Sequence, residues 1–320
     1  MSHKPSEILK IGLAQISPVW LNREQTISKI KSFIENASKK ECDVVVFGEA
    51  LLPGYPFWVE HTGGARFNST LQKKLFSHYL KESVNISKGH LSTIQEACKL
   101  NKITTVLGCI ESAHDRGGHS AYCSLVYIDR KGVIRNVHRK LMPTYEERLV
   151  WAQGDGHGLQ VQHEGLFTIG TLNCWENWMP LVRSALYAQG EDLRIASWPG
   201  SVRNTGDITR FMAIESRSFI VSVSGLLQKK DIPENTPFYD ELMESLPDTM
   251  ADGGSCVCGP DGEWLLKPQA GIEDLFTVTL NHEKIRCERQ NFDPSGHYSR
   301  PDVTKLILNR TRQSTVSFED

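Results

Sequence analysis

Residues 165–180 read GLFTIGTLNCWENWMP, and how this stretch folds decides the architecture. Its first part is apolar and β-rich, which predicts a buried strand. Pro180 suits the first turn of a helix. A cysteine, Cys174, lies between the two. A side chain at such a strand-to-helix turn stands at the edge of a sheet, and the backbone N–H groups just beyond it face whatever it attacks. Most cysteines are nonetheless structural thiols, so Cys174 has to be judged by its company.

Outward from this turn, helices and strands alternate. A helix near 180–189 leads to LRIASWP (193–199) as a strand, a helix near 207–217 and FIVSVSG (219–225) as a strand. On the N-terminal side, 8–16 and 43–48 predict strands around a helix that starts at Asn22. Gln25 three residues on makes a capping-box pattern, and Ile27, Ile30 and Ile34 share one face. A helical stretch is expected around 70–100. KITTVLGCIES (102–112) and SAYCSLVYIDR (120–130) predict a hairpin with the tip AHDRGGH, and DRKG turns the chain into VIRNVHR (133–139). The polar, proline-bearing segment 228–250 predicts a surface excursion, and GSCVCGPDGEWLLKP (254–268) a strand, turn and strand. No linker or fixed repeat divides the 320 residues. The reading is one α/β domain of layered sheets covered by helices.

Two other predicted strands also end in an ionisable residue. DVVVFGEALLPGYPFW (43–58) places Glu49 after a buried strand, and NVHRKLMPTYEERLVW (136–151) places Lys140 after an alternating one, followed by Glu146 and Glu147. Strand ends on one edge of a sheet converge on one crevice. There a carboxylate with a pKa raised by burial could take the thiol proton, and an ammonium could favour the thiolate. The ammonium and a backbone N–H could then stabilise negative charge after addition to a C≡N or C=O carbon. This chemistry requires no metal and no organic cofactor.

Glu49 in FGEALLPGYP, Lys140 in HRKLMPTYEER and Cys174 in NCWENWMPL together resemble, in residues and order, the Glu-Lys-Cys signature of the nitrilase superfamily. WAQGDG (151–156) and GHYSRPDV (296–303) are similar to further signatures of its true nitrilase branch. The resemblance runs from GLAQISP to GHYSRPD. It implies a four-layer α-β-β-α sandwich: a single carbon-nitrogen hydrolase domain over 1–320, with about 304–320 a short C-terminal tail. It also implies pairing with a second subunit and larger spiral oligomers. The implied activity is hydrolysis of a nitrile to the acid and ammonia through a cysteine thioimidate and thioester. Cys174 would be the nucleophile, Glu49 the general base and Lys140 the stabiliser of the tetrahedral intermediate. Glu147, seven residues after the lysine, would support it and assist proton transfer. Glu146, Glu176 and Asn177 receive no role.

Trp58, Trp151, Trp175, Trp178 and Trp198 lie in or near these segments. Trp151, Trp175, Trp198, Tyr55 and Phe57 are taken as substrate-binding, and such ring-lined walls favour an aromatic or arylaliphatic nitrile. Packing in the core or at a subunit interface explains Trp178 and Trp198 equally well. An amidase or a cyanide hydratase would use the same site, and a non-catalytic scaffold remains a further alternative. Cys109, His114, His119 and Cys123 could be drawn as a zinc site, but two of the four fall at the hairpin tip. Ser255, or Ser28 with Lys31, could be drawn as a serine amidase, but neither has the sequence context.

The net charge of −2 offers no basic footprint for nucleic acid. MSHKPSEILKIGLAQI (1–16) lacks a signal-peptide core, and no stretch approaches the roughly 18 apolar residues of a membrane span. The expectation is a cytoplasmic protein with no membrane or nucleic-acid partner, its eight cysteines reduced.

Overall fold

A computed structural model describes residues 6–316 and 319. Residues 1–5, and residues 317, 318 and 320 of the expected tail, lie outside the described residues. The chain opens with β1 (Ile8–Gln15), α1 (Arg23–Lys39) and β2 (Val44–Phe47), the expected β-α-β unit. The Asn22 side chain accepts the Gln25 N–H, and Ile27, Ile30 and Ile34 are buried, so the cap and the apolar stripe both act as the pattern implies. The stretch 70–100 divides. After the short α2 (Trp58–His61) come α3 (Thr70–Glu82) and α4 (Ser92–Asn101), with backbone from Val84 bonding Ile110 and Ser112 between them.

β3 (Thr104–Ser112) and β4 (Ala121–Ile128) form the predicted hairpin, and β5 (Ile134–Arg139) follows antiparallel. A second series comprises β6 (Gln162–Glu164), β7 (Phe167–Asn173), α5 (Pro180–Tyr187), β8 (Leu193–Trp198), α6 (Val202–Ser216) and β9 (Phe219–Ser224). Then come β10 (Leu226–Gln228), α7 (Tyr239–Ser245), β11 (Thr249–Cys258), β12 (Trp264–Ala270), β13 (Asp274–Asn281) and α8 (Glu283–Arg289). The expected surface excursion buries Ile232, Leu242 and Leu246 against Trp20, Trp58 and Tyr79, so its apolar residues belong to the core. β13 went unpredicted; it pairs antiparallel with β1 from the opposite end of the chain.

One sheet has the order β13-β1-β2-β3-β4-β5, the other β10-β11-β9-β8-β7-β6 with β12 beside β11. The two pack face to face through Leu9, Ile11, Leu13, Val44, Val46 and Val106 on one side and Phe167, Ile169, Leu193, Ile195, Phe219 and Val221 on the other. Period-two alternation decides which residues enter this layer. The opposite face of the first sheet takes α1 and α4; that of the second takes α5 and α6. The result is the four-layer α-β-β-α sandwich. No described helix is long and apolar enough to cross a membrane.

One polar clamp crosses the two sheets. The buried Gln15 of β1 accepts the Ser255 N–H of β11 at 2.9 Å and donates to the Ile272 carbonyl at 2.8 Å. Ser255 Oγ in turn accepts the Ser224 N–H at 3.0 Å, so this serine is a buried fastening of two strands. Gln15→Leu leaves the buried Ser255 N–H without this partner. It is expected to lower stability by about 1–3 kcal/mol, read as a reduced denaturant midpoint with an unchanged slope.

Candidate active site

Three strand ends meet at one edge of the sandwich: Glu49 just after β2, Lys140 just after β5 and Cys174 just after β7. Lys140 is enclosed, its ammonium 2.7 Å from Glu49 Oε1 and 2.7 Å from Glu147 Oε2. A carboxylate oxygen of each glutamate and Cys174 Sγ all lie within 4.8 Å of one another. A buried ammonium needs such partners, because desolvation penalises the charge. Burial lowers the Lys140 pKa, but the charges of Glu49, Cys174 and Glu147 outweigh it and hold the group well above its usual range.

Local backbone chemistry places each group. Thr144-x-x-Glu147 is a capping pattern, and the Thr144 N–H donates to Glu147 Oε2 at 2.6 Å, so one oxygen serves both the turn and Lys140. Cys174 has φ of 43°, the left-handed region, as it opens the 3₁₀ turn 174–178. The neighbouring Trp175 N–H favours the ionised sulfur. The Glu49 N–H donates to the Trp198 carbonyl at the end of β8, 3.1 Å away, which ties the two sheets together beside the site. Gly108 of β3 allows the Glu49 backbone to come close: a Cβ there would stand 2.1 Å from Gly48 O and 2.8 Å from Glu49 Cα. Gly154 does the same for Lys140, donating its N–H to the Lys140 carbonyl at 2.8 Å, and so gives WAQGDG a physical reason.

Burial raises the Glu49 carboxyl to about 7, with Lys140 pulling down and Glu147 pushing up. Burial, together with the Glu49 charge, drives the Cys174 thiol well up although Lys140 opposes it. The resting sulfur is therefore protonated, beside a carboxyl whose affinity for protons suits a base at neutral pH. Such an arrangement can move a proton from sulfur to carboxylate while an ammonium waits beside the developing charge.

Of the expected aromatic residues, Trp151 lies over Lys140, with Nζ 5.3 Å from the ring centre, and Tyr55 packs edge-on to Trp151 at 5.4 Å. The Tyr55 hydroxyl sits between Glu147 (2.9 Å) and Glu146 (3.0 Å), which gives Glu146 a contact. Tyr55, Phe57, Glu49 and Pro199 line a narrow cleft with only about 10 Å³ of free space. Trp175 points its side chain outward, 55% exposed, and Trp178 is also partly exposed. Trp198 is fully buried in the core behind Cys174, its Nε1 donating to Ser222 Oγ, and Trp58 is buried against Tyr79. The two cysteines of the zinc alternative point to opposite faces of the sheet, because Cys123 pairs with Ile110 and not with Cys109. Ser28 is an exposed helix residue bonded to the Glu24 carbonyl.

Glu176 and Asn177, without a role in the sequence, have one here. The buried Glu176 carboxylate accepts the Asn173 N–H (2.8 Å) and the Leu141 N–H (2.7 Å) and meets His138 Nε2 at 3.0 Å. It thus holds the residue before Cys174 and residues on both sides of Lys140. Burial alone would raise its pKa, but His138 and the two N–H groups hold it below the usual value. Asn177 donates to the Cys174 carbonyl at 2.9 Å, and its own carbonyl accepts from Arg183. The pattern Asn173-x-x-Glu176 was a legible signal of the first contact.

A family model described as carbon-nitrogen hydrolase matches residues 10–290. Nitrilase 2 of Arabidopsis thaliana is 32% identical over 316 residues, 98% of this chain and 92% of the relative. An aliphatic nitrilase of Rhodococcus rhodochrous is 31% identical, covering 97% and 82%. An arylacetonitrilase of Aspergillus niger is 31% identical, covering 93% and 91%. The crystal structure of a carbon-nitrogen hydrolase from Helicobacter pylori G27 superposes with a TM-score of 0.70 at 19% identity, over 92% of this chain and 96% of that one.

Replacing Glu176 with Gln removes the charge that gathers these donors. The expected loss is about 3 kcal/mol in denaturant unfolding, with kcat for the reaction proposed below falling roughly 10–100-fold at similar KM because the reacting groups drift apart. An unchanged kcat would show that Glu176 positions nothing.

Proposed function

The chain belongs to the carbon-nitrogen hydrolase family, and on that premise we propose that it is a nitrilase converting an organic nitrile to its carboxylic acid and ammonia at Cys174. The observation that carries this reading is the Lys140 ammonium clamped between Glu49 and Glu147 beside the Cys174 thiol. Glu49 takes the Cys174 proton as sulfur adds to the nitrile carbon, and the nitrogen is protonated to give a thioimidate. Water adds with Glu49 again as base, ammonia leaves, and a second water cleaves the thioester. Lys140 and the Trp175 N–H stabilise the charge that develops at each addition. Glu147 holds Lys140 and relays protons.

An aromatic or arylaliphatic nitrile is the proposed substrate class, supported by the rings of Tyr55, Phe57 and Trp151 around the site. The relatives include both an aliphatic nitrilase and an arylacetonitrilase, so the rings carry this choice. With phenylacetonitrile the protein is expected to release ammonia and acid and to show a mass adduct on the peptide holding Cys174. Cys174→Ala is expected to release no ammonia; turnover in that variant, or an adduct on another cysteine, defeats the mechanism. Formamide from cyanide, or activity on amides alone, would reassign the same site to a hydratase or an amidase.

The pH dependence follows from Glu49. Its pKa is raised to about 7, and the base must be ionised, so kcat/KM is expected to be lost as pH falls through about 7. Glu49→Gln has no base to ionise and is expected to be slower by roughly 10²–10⁴-fold, without that acidic limb.

A further inference from the structure

The Glu49 carboxylate is asymmetric. Oε1 is 2.7 Å from the Lys140 ammonium and 3.5 Å from Cys123 Sγ, whereas Oε2 is buried and meets no hydrogen-bonding protein group among the described residues. Cys123 lies fully buried on β4, and its carbonyl accepts the Lys140 N–H at 2.7 Å. One residue therefore grips both the backbone of the lysine and the side chain of the proposed base.

We propose that Cys123 is a positioning residue of this reaction: with Lys140 its thiol holds Oε1 of Glu49, so that Oε2 is the oxygen that takes the proton from Cys174. The inference rests on the nitrilase reading above. In the step concerned the Cys174 S–H bond breaks and an Oε2–H bond forms, while sulfur bonds to the nitrile carbon. The nitrile nitrogen then receives that proton. A carboxylate with both oxygens free could rotate and offer either one. With Oε1 occupied by two donors, rotation breaks two contacts, and the unpartnered oxygen stays where a proton can reach it.

Cys123 acts here as a donor. Burial and the neighbouring Glu49 drive its thiol well up, so it stays protonated and does not compete as a nucleophile. The groups that bear on Glu49 are Lys140 and Glu147 beyond β5, Cys123 on β4, Cys174 beyond β7, and the phenols Tyr55 and Tyr79. Among them Lys140 and Cys123 stabilise the ionised carboxylate through hydrogen bonds.

The test compares Cys123→Ala and Cys123→Ser by kcat, KM and the pH profile of kcat/KM on phenylacetonitrile, with melting temperature as control. Losing a donor to the ionised form should move the acidic limb of Cys123→Ala up by about half a unit or more, roughly a threefold loss at fixed pH on that limb. KM should hardly change. Serine keeps a donor, so its limb should lie at or below that of the wild type. Coincident limbs for the alanine and serine variants, both active, overturn the proposal while leaving the nitrilase reading intact; inactivity of the wild type on every nitrile sinks that reading instead. If Cys123→Ala does not fold, Cys123→Val fills the space without a donor and takes its place. A measurement on the wild type stands apart from these variants: the infrared S–H band, isolated by subtracting the Cys123→Ser spectrum, should shift with the same pH midpoint as activity. A band indifferent to pH overturns the proposal.

Discussion

The site depends on one constraint: an ammonium taken fully out of water must be matched by charge of opposite sign. Lys140 meets it with two carboxylates, and those carboxylates come from different parts of the chain, Glu49 after β2 and Glu147 in the turn beyond β5. Losing either partner would leave a buried charge short of compensation, a cost of several kcal/mol. The ends of β2 and β5 are therefore drawn together by electrostatics as well as by the sheet. With both carboxylates ionised the group carries one net negative charge, and a Cys174 thiolate would add a second. Burial first, and this negative charge second, drive the thiol up despite the lysine. Sulfur can lose its proton cheaply only if Glu49 gains it, which leaves the total unchanged. The proposed nucleophile and base are coupled by charge balance before any substrate arrives.

Around this group the protein has few free backbone choices. Glu176 collects N–H groups from residues 141 and 173, Gly108 and Gly154 let two backbones approach where a methyl group would collide, and the Trp198 carbonyl holds the Glu49 N–H from the other sheet. Apart from the local bond between Glu176 and Asn173, each contact joins different elements of the chain. The positive φ of Cys174 is tolerated because Asn177 and Glu176 bind the turn from within.

What the sequence disclosed follows the range of the forces involved. Periodicity and capping are local, so the β-α-β opening, the hairpin and the strand-turn-helix around Cys174 were legible, as were the three ionisable strand ends. Sheet order is not local: β13 alternates as Leu275, Thr277 and Thr279 against Phe276, Val278 and Leu280, yet nothing in that run names β1 as its partner. Helix 70–100 was read as continuous because its interruption is set by Val84 pairing with β3, a tertiary contact. Two capping patterns, Thr144 to Glu147 and Asn173 to Glu176, were open to the same reasoning that found Asn22 and Gln25. For Glu147 the family resemblance implies the same placement, whereas for Glu176 only the capping pattern does. Trp198 shows the limit of reading by residue type, since its part near the site is played by a carbonyl that any residue has.

The aromatic residues carry a related consequence. Tyr55 and Trp151 are expected from the sequence to bind substrate, but in the structure they, together with Tyr79, are joined to the charges. The Trp151 ring covers the Lys140 ammonium and its N–H donates to Tyr79, while the Tyr55 hydroxyl meets Glu147. A ring face stabilises a cation, and a phenol stabilises a carboxylate, most effectively where water is excluded. These side chains therefore enclose the ion cluster to which Glu49 belongs. For the proposed reaction, substrate fit and base strength are linked at Tyr55, which lines the cleft beside Glu49 and also bonds Glu147. Phe57 packs against Tyr55 and its side chain has no polar atom to join the ion cluster, so the substrate range of the proposed reaction can be changed there with less effect on the charges.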